Sequence, residues 1–312
     1  MKPVRLASAI LLTLFLGLGN VQAKDRPPLP PDAYYFGDSA YAIHKIDDRI
    51  FAIGEPTYYQ GNVSYLFVGT QRALLLDGGA SREEDITKVV ASLTDKPVAV
   101  IPSHLHFDHM AGLDKFKEVW LVDLPYTRDL ADKDGTTTVP VGIDLHDIDK
   151  LSPSSFRVAR YVAPDEIIDL GELKLQLLST PGHTKDEISL WKENDDMLFV
   201  GDFLYPGPLF VGNVKDYLAS LDKALGVIGS KTKIYGAHGS AKAVPQNSLP
   251  LMNRQTLVDA KGAFEAIRQG KLQASEATPD ELIRSAKIYP INETMNIYTD
   301  IVFTNGRPFG YD

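Results

Sequence analysis

The sequence predicts an α/β fold, and three observations carry that expectation. Short apolar runs recur between Gly, Asn and Asp turn signals, the pattern of core strands. Between some of these runs lie segments whose apolar residues fall at helical spacing, so strands and helices alternate. The 312 residues suffice for a large core, and the chain carries no internal repeat and no low-complexity tract.

Residues 1–23 stand outside that core. Lys2 and Arg5 precede a 13-residue apolar run, and "VQA" ends at Ala23 like a cleavage site, which together read as a secretory signal peptide. A membrane span needs about 20 apolar residues, so an uncleaved anchor fits less well. The expected location is the bacterial periplasm or the medium, with no stable membrane anchor after signal cleavage. The chain has no cysteine, which excludes a lipidated cysteine, disulfides and thiolate metal ligands.

Residues 24–39 are proline-rich and read as an irregular lead-in. Strands are expected at "RIFAIGE", "SYLFVG" and "RALLLDGG". Ser81 followed by "REED" offers a helix start, and "ITKVVASL" has the helical spacing. A strand at "PVAVIPS" runs into "HLHFDH", with a short helix expected in "MAGLDKFK". After a strand at "EVWLV" comes a loop-rich middle, then "EIIDLG" and "LKLQLLSTPGH" as a hairpin turning at Gly171 and Glu172. Strands at "EISLW", "MLFVGD" and "KIYGAHG" and a helix over "KDYLASLDKALGVI" complete a main domain over 40–244. Residues 245–312 read as an extension packed on that domain, with helices over "QTLVDAKGAFEAIRQG" and "TPDELIRSAK" and a strand at "NIYTDIVF".

Without the signal, 30 Lys and Arg face 41 Asp and Glu, a net charge of −11. Such a surface repels phosphate backbones, so no nucleic-acid partner is expected. The chain also has no GxSxG elbow and no glycine-rich phosphate loop, which leaves serine-nucleophile hydrolysis without local support.

Three of only seven histidines fall within six residues: His104, His106 and His109, with Asp108 among them. In an extended segment residues two apart point the same way, so His104 and His106 present both imidazoles to one side. Imidazole and carboxylate are the ligands zinc accepts where thiolate is absent. His183 in "STPGHT", Asp202 in "LFVGDFLY" and His238 in "YGAHG" each end an expected strand and supply what a two-metal site still lacks. His44 and His146 have no such context and read as ordinary residues.

These motifs resemble the metallo-β-lactamase superfamily: HxHxDH over His104, His106, Asp108 and His109, then His183, Asp202 and His238 in the family's order, with Asp77 in "LLLDGG". The resemblance spans roughly residues 45–242. It implies a four-layer αββα sandwich; the C-terminal extension lies outside the resemblance and reads as mainly helical from its own residues. It also implies two Zn2+ per chain, with iron or manganese as alternatives. His104, His106 and His183 would hold one metal and Asp108, His109 and His238 the other, with Asp202 bridging and Asp77 supporting the histidine loop from behind.

Two close metals lower the pKa of bound water toward 7, and a hydroxide bridging them could attack a polarised carbonyl, with Asp108 orienting it. Tyr205, three residues beyond Asp202, matches a tyrosine that lactonase-type members turn toward substrate. Tyr58 and Tyr59 are candidate pocket walls. The expected activity is hydrolysis of a small ester, thioester or lactone. A periplasmic β-lactamase is the runner-up, disfavoured by the bridging aspartate, and an iron-dependent redox or sulfur-oxidising enzyme ranks third. Oligomeric state is not legible.

Overall fold

Two mixed β-sheets pack face to face, with helices on both outer faces, in a computed structural model that describes residues 26–239 and 248–311. The first sheet runs β1 (Ala33–Tyr35), β2 (Ala42–Lys45), β3 (Ile50–Gly54), β4 (Val63–Val68), β5 (Ala73–Leu76), β6 (Val98–Ile101), β7 (Glu118–Val122), β9 (Ser155–Val162) and β8 (Thr136–Thr138). The second runs β10 (Ile167–Asp169), β11 (Lys174–Ser179), β12 (Ile188–Lys192), β13 (Met197–Phe199), β15 (Lys233–Tyr235) and β16 (Leu251–Asn253). A third, smaller sheet orders β14 (Pro208–Phe210), β19 (Asn296–Phe303), β18 (Ile283–Pro290) and β17 (Ser275–Glu276).

The layering follows from strand alternation, because successive side chains leave opposite faces of a sheet. In β4, Tyr65 and Phe67 enter the core between the two sheets, whereas Leu66 faces the outer layer under α1 (Ile86–Leu93). In the second sheet Leu177 and Phe199 meet them in the middle, while Leu178 and Leu198 face outward. That outer face is covered by Tyr217, Leu221 and Ala224 of α4 (Val214–Val227) and Leu257, Ala260 and Phe264 of α5 (Arg254–Arg268). Phe199 is the hub of the middle layer, with ring centroids 4.9 Å from Tyr65, 4.7 Å from Phe67 and 5.0 Å from Tyr235.

The four-layer sandwich expected from the sequence is present, and several local expectations need correction. The signal peptide expected over 1–23 lies outside the described residues. Within the lead-in, Ala33–Tyr35 is not irregular but pairs with β2 at the sheet edge. Helix α1 starts later than Ser81, because the Asp85 side chain accepts from the Thr87 amide and caps it there. "MAGLDKFK" is not one short helix: 3-10 turns occupy Phe107–His109 and Leu113–Lys115 on either side of its start. The loop-rich middle holds β8, β9 and two single-turn helices, α2 (Pro125–Arg128) and α3 (Val141–Asp144). The hairpin between β10 and β11 turns as expected, with Gly171 at φ 82° and Glu172 at φ 56°.

The extension is not mainly helical. Only α5 is helical in residues 248–311, and the second expected helix, over "TPDELIRSAK", is a turn leading into β18. Asp280 captures the Leu282 and Ile283 amides at 2.8 and 2.6 Å, which forms a turn where a helix would have begun. Pairing with β19 then buries Ile283 and Ala286 against Phe107, Leu145, Ile301 and Phe303. The extension packs on the rest of the chain through α5 against α4 and through β19, which pairs parallel with β14. Among the described residues no helix is long and apolar enough to cross a membrane.

Because Phe199 touches three aromatic rings and is fully buried, Phe199→Ala should lower the free energy of unfolding by about 3–5 kcal/mol. Urea denaturation measures this, and a loss below about 1 kcal/mol would contradict the packing described.

Candidate metal centre

The chemistry gathers where strands from both sheets end on a common edge. β6 leads through Pro102 into Ser103–His109; His183 lies between β11 and β12; Asp202 follows β13 and His238 follows β15. The sheets are joined at this edge by the Val63 amide, which donates to the Ala237 carbonyl at 2.8 Å, and by a backbone bridge between Asn62 and His238. Gly201, just before Asp202, has φ 52°, and a Cβ there would come within 2.4 Å of Glu187 and 2.5 Å of Ser103. Only glycine lets Asp202 approach the histidine loop so closely.

All seven residues expected as metal ligands come together, and all are buried. His106 Nδ1 lies 2.8 Å from His104 Nε2 and 3.1 Å from His183 Nε2. Asp108 Oδ2 lies 3.4 Å from both His109 Nε2 and His238 Nε2. Asp202 stands between the two groups. Its Oδ1 is 3.0 Å from His238 Nε2 and 3.5 Å from His109 Nε2, and its Oδ2 is 3.6 Å from His183 Nε2.

The outer nitrogens determine which atoms face inward. His183 Nδ1 donates to the Phe210 carbonyl at 2.8 Å and His238 Nδ1 to the Gln60 carbonyl at 3.1 Å. His109 Nδ1 meets Asp77 Oδ2 at 3.1 Å. His104 Nδ1 meets Ser103 Oγ at 3.1 Å, and the Ser103 hydroxyl donates a hydrogen bond to Asp77 Oδ2 at 3.2 Å. Each of these four rings therefore keeps its proton on Nδ1 and turns an Nε2 lone pair inward.

Converging lone pairs repel unless something positive lies among them. Burial pushes His104 and His106 well toward the neutral form and His183 in the same direction, which disfavours protonation as a remedy at the first triplet. Burial also opposes charge at His109 and His238, but there the carboxylates outweigh it and both pKa values rise: Asp108, Asp77 and Asp202 at His109, chiefly Asp202 at His238. Burial likewise opposes ionisation of Asp108 and Asp202, yet the adjoining histidines hold both carboxyls below the usual range. His109 Nε2 and Asp202 Oδ1 are buried without a hydrogen-bond partner. Three neutral imidazoles at the first triplet, two ionised carboxylates that draw positive charge onto His109 and His238, and orphaned inward atoms are what a pair of cations would replace and satisfy, so the donor set fits metal.

Asp77 has φ 68°, a left-handed conformation that Asp adopts at some cost, and it accepts the Ser103 amide at 2.6 Å. Sequence reasoning missed several other supports. Glu187 is fully buried, accepts the Asp202 amide at 3.2 Å through Oε1, and sets Oε2 3.3 Å from His104 Nδ1. Burial first, then Asp202, raises its pKa well above the ordinary glutamate value. Asn62 Nδ2 donates to the Asp108 carbonyl at 3.0 Å and to its Oδ2 at 3.1 Å. Glu55 accepts the Ala80 and Ser81 amides at 2.7 and 2.8 Å, anchoring the turn after Asp77.

Tyr205 packs its ring 5.1 Å from His238, but its hydroxyl donates to the Pro208 carbonyl, so donation to a substrate requires that bond to break. Tyr58 and Tyr59 both donate to Asp149, at 2.5 and 2.9 Å, and fasten the loop that carries Gln60 and Asn62. His44 is buried in the first sheet, where burial lowers its pKa, and His146 pairs with Asp144 at 2.5 Å.

A family model described as the metallo-beta-lactamase superfamily matches residues 58–239. The chain is 25% identical over 224 residues to acyl-coenzyme A thioesterase MBLAC2 of Gallus gallus, covering 64% of this chain and 80% of that protein. It is 26% identical over 175 residues to hydroxyacylglutathione hydrolase of Psychromonas ingrahamii, covering 54% of this chain and 57% of the relative. A solved metallo-beta-lactamase from Pontibacter korlensis shares the fold, with a TM-score of 0.52 and 17% identity over 72% of this chain and 99% of its own.

Removing the charge behind His109 and Ser103 should loosen the cluster without unfolding the chain. Asp77→Asn is expected to weaken zinc binding about 10–100-fold, measured by competition with a chelator, and an unchanged affinity would remove Asp77 from the support of the site.

Proposed function

The chain belongs to the metallo-beta-lactamase superfamily, and from that premise we propose that it is an exported dizinc hydrolase of small esters, thioesters or lactones. That it is a metal-dependent hydrolase follows from its relatives, which include thioesterases, and from donor clusters able to bind metal. The finer reading rests on one observation: Asp202 stands between the two histidine groups and directs one oxygen toward each. A carboxylate so placed supports a shared pair of metals over two independent ones. The names of two relatives, an acyl-coenzyme A thioesterase and a hydroxyacylglutathione hydrolase, support an acyl substrate. Export is supported by Lys2, Arg5, the apolar run and "VQA" ending at Ala23.

Two divalent ions bound here would supply Lewis acidity and an acidified water at neutral pH. The rest belongs to the chain. With all five imidazoles in their neutral, ligating form, the two carboxylates would contribute only two negative charges against two divalent ions, which would leave positive charge for a developing oxyanion. Asp108 is held through Oδ2 by Asn62 and lies beside His109 and His238, leaving Oδ1 to accept the proton of the attacking water. The Phe210 and Gln60 carbonyls and Asp77 fix the imidazole orientations, so no ring must reorganise during the reaction. No side chain acts as a covalent nucleophile.

The β-lactamase reading is kept for its agreement with export and is separated by substrate. Zinc-loaded protein should hydrolyse aryl esters, thioesters or lactones, lose this with EDTA and recover it with zinc. Asp202→Ala should cost more than about a hundredfold, since losses in supporting residues alone reach that size. Nitrocefin turnover above that of every ester, thioester and lactone tried would replace this reading with the β-lactamase one.

A further inference from the structure

We infer that the end of the chain builds the substrate pocket and that Phe309 selects the acyl group. This rests on the hydrolase reading above. A cavity of about 280 Å³ opens beside His106 and His183; Ile143, Leu145, Phe309 and the ring of Tyr311 make its apolar walls, and Thr184, Lys185 and Asp186 line a polar side. The ring of Phe309 sits 5.2 Å from His183 and 5.8 Å from His106, so it lies against two first-triplet histidines, although it is more than 120 residues away in sequence. It is half-buried, packed on Phe210 and Phe303, and its remaining surface faces the cavity.

The tail is built into this position. Phe309 donates its amide to the Ile301 carbonyl at 2.9 Å, and the Arg307 carbonyl accepts from the Phe303 amide at 2.8 Å. Gly310 has φ 128°, and a Cβ on it would stand 2.9 Å from the Gly212 carbonyl, while a Cβ on Gly212 would stand 2.5 Å from the His183 carbonyl. Two glycines therefore let the tail pass over the segment that holds His183. Arg307 clamps the opposite wall: its Nη1 donates to the Val141 carbonyl at 2.6 Å, its Nη2 pairs with Asp147, and Asn305 donates to the same Asp147 oxygen at 2.8 Å. The wall of Ile143 and Leu145 and the wall of Phe309 are thus fixed to each other, which pre-organises the pocket.

The chemistry of the lining names the occupant. An apolar cavity of about 150 Å³ accepts a benzene ring, so the apolar part of this one takes a group of fewer than about ten heavy atoms, while the polar side of Thr184, Lys185 and Asp186 stays hydrated. One end must reach the metal ligands. The fitting substrate is an ester, thioester or lactone whose straight or aryl acyl part has roughly four to eight carbons, held against Phe309 by burial of its methylenes. Lys185 lies over the Tyr311 ring, 5.3 Å from its centroid, at the exposed rim.

The test uses the full-length, zinc-loaded protein with acetate and hexanoate as ligands in calorimetric titrations, and acetyl and hexanoyl aryl esters as substrates. Phe309→Ala should weaken hexanoate roughly tenfold relative to acetate, with the same change in the hexanoyl-to-acetyl ratio of kcat/KM. Phe309→Trp fills the cavity and should exclude hexanoate while still binding acetate; it carries the test if the alanine variant fails to fold. If hexanoate binding responds in this way and no ester is turned over, the pocket stands and the hydrolase reading falls. If esters are turned over while neither variant alters hexanoate affinity or chain-length preference, the hydrolase reading stands and the pocket is overturned.

Discussion

The structure depends on one constraint: seven buried donor atoms point at one another and cannot stay so without positive charge among them. Nitrogen lone pairs of His104, His106 and His183 within about 3 Å, and carboxylates of Asp108 and Asp202 beside His109 and His238, form an arrangement no apolar core would tolerate unpaired. The surrounding protein commits charge and backbone to holding it. Asp77 in a left-handed conformation and a buried Glu187 beneath Asp202 and His104 are each costly alone, and the close approach of Gly201 to Ser103 leaves no room for a side chain. They persist because the packed sheets over-determine them.

The sandwich supplies that rigidity. Four ligands lie on the loop that leaves β6, and the other three follow β11, β13 and β15, so both sheets converge on one edge. The aromatic contacts of Phe199 with Tyr65, Phe67 and Tyr235 lie in the layer between those sheets and hold them in register. The third sheet adds a cushion: Phe107, between His106 and Asp108, packs with Leu145, Ile301 and Phe303. The extension thus supports the histidine loop from one side and walls the adjoining cavity from the other.

Much of this was legible in the sequence because it is local. Alternation in "SYLFVG" and helical spacing in "ITKVVASL" report which face is buried, and the spacing of His104, His106, Asp108 and His109 reports a shared direction. His183, Asp202 and His238 were readable as strand-end residues in glycine contexts. What escaped depends on distant parts of the chain meeting. Glu187 gave only a weak signal, an acid at the head of an apolar strand. Phe309 gave none, since its place is set by β18 and β19, and β18 itself was misread as helix because "TPDELIRSAK" has helical composition and only its turn and its pairing with β19 override that. The bonds of Tyr58 and Tyr59 to Asp149, about 90 positions away, likewise have no local signature.

The central claim is that the converging donors hold two metals as one bridged unit. Native mass spectrometry of metal-free protein titrated with zinc tests it most directly. The account predicts saturation at two zinc ions per chain, with Asp202→Ala failing to hold the full pair. Saturation at one ion, or two ions held equally well without Asp202, would contradict it.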